Sequence, residues 1–368
     1  MAKEKTEDKV DDVKNAAISL MKSKSNKDFH YNYHKVADAY QVSSGSIVLD
    51  SWIGGGFGSG LLRFTGGTEG GKTSAALAVM DNFIHTVENS RGLYIKAEGR
   101  LKQTVMDRTN IKFVIDPEEW ENGTCLVLET NVFDFAFDFI RTIIKPENNK
   151  SKCRFNIIMD SMDGFIPACD IGKSTSDAAK VAAGALLSSD FLKRVSLGMA
   201  KFGHQCIMIS QVRAKIQGQY DKVDPNARGS SSGPNAVSHY PDWTLEFLRR
   251  FKKHLILDKN NKIIGHICRV EIHKSDNETT GNIVEYPIIY GRKAGKSIWK
   301  EREVVDMLFM FELVTRSGAW YNFSPELIKE SGGILPEKVQ GMDAVYELVE
   351  SDDEILLFLE KKVRELIQ

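Results

Sequence analysis

The sequence predicts an α/β fold with a mostly parallel central sheet, and three observations carry that prediction. Apolar, strand-like runs alternate with helix-length stretches from Ser46 onward, the pattern of strands joined by crossover helices. Gly66-Gly67-Thr68-Glu69-Gly70-Gly71-Lys72-Thr73 fits G-x-x-x-x-G-K-[ST], the phosphate-binding loop. That loop stands between a short apolar strand, Leu61–Thr65, and a helix predicted from Ser74 to Glu88 with Ala75, Leu77, Ala78, Val79, Phe83 and Ile84 as its apolar positions. Strand, glycine loop, helix is the order the motif requires.

Residues 1–45 are polar. Val10 to Met21 predicts one amphipathic helix, ended by Ser23-Lys24-Ser25-Asn26-Lys27. This reads as an arm rather than as a domain. Residues 46–296 form the predicted core. Its strands are Leu61–Thr65, Gly92–Ala97, Thr124–Glu129, Phe155–Asp160 and Gln205–Gln211, with helices at Val132–Ile144 and Leu186–Phe202. Ile263–His273 and Ile283–Tyr290 lie close together, joined through Ser275–Thr279, as an antiparallel extension would. Residues 297–368 read as a small, mostly helical C-terminal domain.

Composition narrows the function classes. The chain has 368 residues, 42% hydrophobic and 27% charged, enough for one large core with satellites. A net charge of −1 excludes a uniformly basic nucleic-acid binder but not a locally basic one. Five scattered cysteines without a C-x-x-C pair predict a reducing cytoplasmic setting and no zinc site. No apolar run approaches the ~18 residues of a membrane span, and no signal peptide opens the chain.

Each residue of the glycine loop has a chemical reason. Gly66, Gly67, Gly70 and Gly71, with Thr68, Glu69 and Ser74, let backbone N–H groups curl around a phosphate. Lys72 reaches the β- and γ-phosphates of ATP, and the Thr73 hydroxyl suits Mg2+. Three further strands end in polar residues. Phe155–Asp160 ends in a carboxylate placed to hold Mg2+, directly or through water. Gly92–Ala97 leads to Glu98, which at the carboxyl edge of a parallel sheet would orient the attacking water. A solvated loop carboxylate has the same spacing, so the pattern alone leaves Glu98 open. Cys206–Gln211 ends in an amide suited to sensing a γ-phosphate, or simply to capping a strand. Beyond it, residues 212–235 show little regular pattern and carry Arg213, Lys215, Lys222 and Arg228 with a Gly/Ser run. A loop of that length is functional or floppy. Starting beside a phosphate sensor, it could couple nucleotide state to a polyanion.

In this order the motifs resemble the RecA family of ATP-dependent strand-exchange recombinases, bacterial and phage. Leu49-Asp50 with Gly54-Gly55-Gly56 and Gly60 resembles the approach to that family's phosphate loop, and Ala97-Glu98 its catalytic glutamate. Gln211–Ile216 is similar to the sensor glutamine and the start of the second DNA loop, which Gly233, Asn235 and Ala236 would close. Arg269-Val270 through Lys274 resembles the strand that sends a lysine into the neighbouring subunit's ATP site. Ser317–Tyr321 and Glu360–Leu366 resemble the family's C-terminal domain. The resemblance implies a RecA-type P-loop ATPase core with an N-terminal polymerisation arm. It implies ATP and Mg2+ as ligands, with Lys72, Glu98, Gln211 and Lys274 in catalysis and Thr73 and Asp160 at the metal. Arg213, Lys215, Gly233 and Asn235 would grip DNA. The implied partners are single-stranded DNA, homologous duplex and further copies of the chain in a helical filament, with no membrane.

The sequence also departs from the family. Asp276 replaces a second lysine of the subunit-bridging strand, and Pro234 stands where the DNA loop usually has glycine. The aromatic that would stack on adenine is missing from Leu101–Val105. The first DNA loop, expected within Ile171–Gly184, offers only Ile171-Gly172 and Lys180. The chain ends at its last predicted helix, where the family commonly adds an acidic tail. These features suit a divergent member. Two other functions share the core: a DNA-binding mediator that uses ATP only as a clamp, and a ring-forming helicase or motor.

Overall fold

A computed structural model describes residues 14–15, 17–19, 39–99, 101–145, 148–172, 182–213, 230–231 and 239–367. The central sheet is built from β1 (Gly60–Gly66), β2 (Ser90–Lys96), β3 (Lys112–Val114), β4 (Thr124–Glu129), β5 (Arg154–Asp160), β6 (Gln205–Ile209), β7 (Trp243–Phe247), β8 (Leu255–Leu257), β9 (Ile263–Lys274) and β10 (Ile283–Ile289). Its strand order is β8-β9-β7-β1-β6-β5-β2-β4-β3, with β10 on the other edge of β9. The seven strands from β7 to β3 run parallel. β9 is antiparallel to β7, β8 and β10. The predicted antiparallel extension is therefore present, and it attaches through β7.

Helices α1 (Ile47–Trp52), α2 (Lys72–Thr86), α3 (Phe133–Ile144) and α4 (Ala182–Phe202) flank this sheet. On α3 the buried positions are Phe133, Ala136, Phe137, Ile140 and Ile144, spaced to make one apolar face. They pack with Phe191, Leu192, Val195 and Met199 of α4 on one side of the sheet. Leu77, Met80 and Phe83 of α2 fill the other side. Along β2, Leu93 and Ile95 join the first cluster while Tyr94 joins the second, the alternation a pleated strand requires. Truncating Phe137, which stacks on Phe191, to Ala would cost about 3–5 kcal/mol.

Several boundaries differ from expectation. β6 stops at Ile209 because Gln211 turns its N–H to Asp163 Oδ2 at 2.7 Å instead of to a neighbouring strand. α2 ends at Thr86, where Val87 is extended and Asn89 takes a positive φ of 51°. α4 starts at Ala182, so residues 182–184, expected in the first DNA loop, are helical, as alanine-rich sequence favours. The long stretch after Gln211 opens with regular structure: Val212 and Arg213 pair antiparallel with Ser231 and Ser230. Of the N-terminal arm, Lys14, Asn15 and residues 17–19 are described, helical and exposed.

Residues 300–367 add α5 (Lys300–Met310), β11 (Val314–Ser317), β12 (Trp320–Phe323), α6 (Pro325–Glu330), β13 (Lys338–Gln340), α7 (Met342–Ser351) and α8 (Asp353–Ile367). The three strands form their own antiparallel sheet, so this region is less purely helical than expected. Gly318, at φ 62°, supplies the tight turn between β11 and β12. Val304, Leu308, Leu327, Val345, Val349, Leu359 and Val363 make a separate core that also takes in Ile47 of α1. No helix among the described residues is long and apolar enough to cross a membrane.

Candidate nucleotide site

Because β1, β2, β5 and β6 run parallel, their carboxyl ends share one edge of the sheet. The sequence places its polar strand ends there. Gly66 closes β1 at φ 139°, and a Cβ on it would lie 2.2 Å from the Phe247 carbonyl oxygen. Gly71 has φ 104° and caps α2. These two positions let the loop fold tightly over the end of β7, with its backbone at the α2 N-terminus, where N–H groups and the helix dipole favour an anion.

Lys72 Nζ donates to the carbonyls of Gly66 at 3.0 Å and Gly67 at 2.6 Å. Burial lowers its pKa, and Asp160 and Asp163 oppose that shift. Thr73 Oγ1 lies 3.3 Å from Asp160 Oδ2. The same carboxylate accepts from the Tyr94 hydroxyl and, at 2.8 Å, from Lys96 Nζ. Glu98 Oε1 accepts from Ser161 Oγ at 2.8 Å. Gly164 backs it closely: a Cβ there would stand 2.5 Å from Glu98 Cγ. Gln211 is tied through its backbone to Asp163, and Arg63 Nε donates to Ser210 Oγ at 3.1 Å beneath it. Gly66–Ser74, Glu98, Asp160 and Gln211 are thus neighbours at one sheet edge.

Beside the loop opens a cavity of about 990 Å3 lined by Gly70–Ser74, Arg108, Arg250, His266, Tyr290 and Ser297, among others. Its volume and mixed lining suit a nucleoside phosphate. His266 Nδ1 is buried without a hydrogen-bond partner among the described residues, and its ring lies 5.4 Å from that of Tyr290. Arg250 donates to the Tyr290 hydroxyl at 2.6 Å and reaches Glu69 at 3.4 Å. Tyr290, just after β10, thus gives the cavity an aromatic ring, which Leu101–Val105 does not offer. The donor set also fits a hard divalent cation: the Thr73 hydroxyl and Asp160 carboxylate are both oxygen ligands.

Sequence reasoning missed Ser161, Asp163, Tyr290 and Lys96. Ser161 follows Asp160 directly and Tyr290 ends a predicted strand, so adjacency was their signal. Lys96 gave none. Lys274 does not join the site. β9 sets it opposite Thr244, which pairs with Arg63, three positions before Gly66. Its Nζ donates to the carbonyls of His239 at 2.8 Å and Pro241 at 2.5 Å, before the start of β7. Arg213 lies in the short ladder after Gln211. Lys215, Gly233, Asn235, Pro234 and Lys180 lie outside the described residues.

Comparison with known proteins agrees with this geometry. The family model described as the RecA N-terminal domain matches residues 15–295. Protein RecA of Porphyromonas gingivalis is 23% identical, over all of this chain and 99% of its own length. Protein RecA of Macrococcus caseolyticus is 27% identical over 88% of this chain and 81% of its own, and that of Rippkaea orientalis 25% over 89% and 83%. A phosphate loop and three polar strand ends at one edge of a parallel sheet, within a family match of that extent, lead to one conclusion: the chain belongs to the RecA family of ATP-dependent DNA strand-exchange recombinases.

Proposed function

We propose that this chain binds ATP in the cavity beside Gly66–Ser74 and hydrolyses it while polymerised head to tail on single-stranded DNA, where homologous duplex is then sampled. The observation that supports this reading best is the convergence of Lys72, Thr73, Glu98, Asp160 and Gln211 from separate segments onto one sheet edge. Loop N–H groups and Lys72 hold the β- and γ-phosphates. Mg2+, held by Thr73 and Asp160, would neutralise phosphate charge as the bond breaks. Ser161 orients Glu98, which accepts a proton from the attacking water. Gln211 reads the γ-phosphate and passes its state to the segment carrying Arg213, Lys215, Gly233 and Asn235, which grips the DNA backbone.

Three regions would divide this work: residues 1–45 join subunits, 46–296 carry ATP and DNA, and 297–368 form a C-terminal domain. Lys274 acts on a neighbour's nucleotide, since its own phosphate loop lies about 10 Å further along the sheet at ~3.3 Å per residue. The decisive experiment measures ATP turnover with and without single-stranded DNA, alongside electron microscopy of the same mixture. DNA-stimulated turnover and helical filaments are expected from the wild-type chain. Lys72→Ala is expected to abolish turnover, because its ammonium stabilises the charge that develops between the β- and γ-phosphates. Turnover within twofold of wild type would sink the assignment.

A further inference from the structure

Lys96 belongs to no motif read from the sequence, yet its ammonium lies at the metal end of the site. Its Nζ is 2.8 Å from Asp160 Oδ2, and the two side chains are only 16% and 9% exposed. Water therefore screens the pair weakly. The contact follows from register: Lys96 and Asp160 are direct partners across the parallel β2–β5 ladder. Tyr94, two positions earlier on the same strand face, donates to the same carboxylate oxygen. Thr73 Oγ1 reaches that oxygen as well. One oxygen thus serves three donors, and one of them carries a full positive charge.

A divalent cation held by Thr73 and Asp160, directly or through water, would draw on that same oxygen, the one Thr73 already faces. It would also sit within a few ångströms of the Lys96 ammonium, where like charges repel strongly in a half-dry site. The lysine stem is flexible and its charge is a compact point that hydrates readily, so the lysine is the group that can yield. We infer that Lys96 is an intramolecular competitor of Mg2+: its ammonium neutralises Asp160 when no metal is bound and must release the carboxylate for the metal to bind. The inference rests on Thr73 and Asp160 being the metal site, as proposed above.

The test is nucleotide binding rather than turnover. Binding of a fluorescent ADP analogue to the full-length chain is titrated with Mg2+. Lys96→Met removes the charge and keeps the stem. It is expected to lower the half-saturating Mg2+ concentration at least ~10-fold, the scale of a nearby like charge. Lys96→Arg keeps the charge and should stay near wild type. An unchanged or higher Mg2+ requirement in Lys96→Met overturns the inference and reduces Lys96 to a structural counter-ion. Asp160→Asn separates the two levels. If it leaves Mg2+ dependence intact, the metal assignment itself fails; if it weakens dependence while Lys96→Met does nothing, only the competition fails. Should Lys96→Met not fold, the wild type crystallised with Mg2+ and ADP decides. Lys96 Nζ is expected beyond the ~4 Å ion-pair limit from Asp160, and an intact pair beside bound Mg2+ overturns the proposal.

Discussion

Glu98 shows how much of this site depends on the groups around each residue. Its carboxylate accepts from Ser161, and its stem packs against the backbone of Gly164, where no side chain fits. Both partners come from the turn just after β5, the strand that delivers Asp160. A carboxylate fixed from two sides keeps its lone pairs aimed, and aim is what general-base chemistry needs. Glu98→Gln preserves size and the Ser161 contact but cannot accept a proton. It is expected to bind nucleotide normally and to hydrolyse ATP at least ~100-fold more slowly, the usual scale for losing a general base. Rapid-quench measurement of hydrolysis beside equilibrium nucleotide binding checks this. Unchanged hydrolysis would make Glu98 a solvated loop residue. A parallel loss of binding would make it a positioning group for ATP.

At the scale of elements, α1 is fastened to the C-terminal region by polar contacts rather than by area alone. Ser46 caps α1 and donates to Glu303 of α5, whose other oxygen accepts from Ile47 N at 3.1 Å. Arg364 of α8 donates to Asp50 of α1 at 3.0 Å. Burial pushes the Glu303 pKa up to about 8; nearby Asp50 adds to that rise, and Ser46, Ile47 and Lys300 oppose it. A carboxyl raised in the folded state binds its proton more tightly than in the unfolded chain. Its stabilising contribution is therefore whole at low pH and lost as pH rises from the ordinary value of 4.5 through about 8. The wild type should lose melting temperature between pH 6 and pH 9 more steeply than Glu303→Gln, which carries no proton to lose. Parallel melting curves would refute the linkage. The elements themselves were legible where their signal was local. The apolar runs of β1, β2, β4, β5 and β6 and the stripe on α3 each announced themselves. The short strands β3, β7 and β8 did not, because three to five residues carry no period. The same limit hid Lys96. A lysine ending a strand reads as solvated, and only the β2–β5 register brings it to Asp160. Tyr290 was obscured differently: an aromatic was sought near Glu98 in sequence, whereas the fold lines the cavity with one from just after β10.

The whole molecule carries a net charge of −1, so the proposed grip on DNA would have to be local and repeated. In a filament small contributions add along the strand, and each subunit needs only a few cations at the phosphates. Arg213→Ala and Lys215→Ala are expected to weaken single-strand binding alike on all sequences and to flatten the salt dependence by about one unit each. A loss confined to one DNA sequence would contradict a backbone grip. The same repetition bears on Lys274. Its ammonium is held by the carbonyls of His239 and Pro241 at the sheet edge opposite its own phosphate loop. Burial raises the pKa of both Asp242 and Asp276, and the nearby Lys274 ammonium opposes that rise in each. Burial and the proximity of Asp242 nevertheless leave the Asp276 pKa raised on balance. Those carboxylates oppose any phosphate that Lys274 approaches. If the lysine serves a neighbour's nucleotide, it matters only in the polymer. Lys274→Ala should then leave nucleotide affinity of the free subunit intact and remove most DNA-stimulated turnover. Asp276→Lys exchanges a negative for a positive charge at that contact, and should raise turnover on DNA or prolong filament lifetime in ATP without changing the isolated subunit. Filament lifetime by light scattering and turnover by phosphate release read the two effects separately. Normal DNA-stimulated hydrolysis by Lys274→Ala would mean that each subunit completes its own active site, and the polymer would then serve DNA geometry alone.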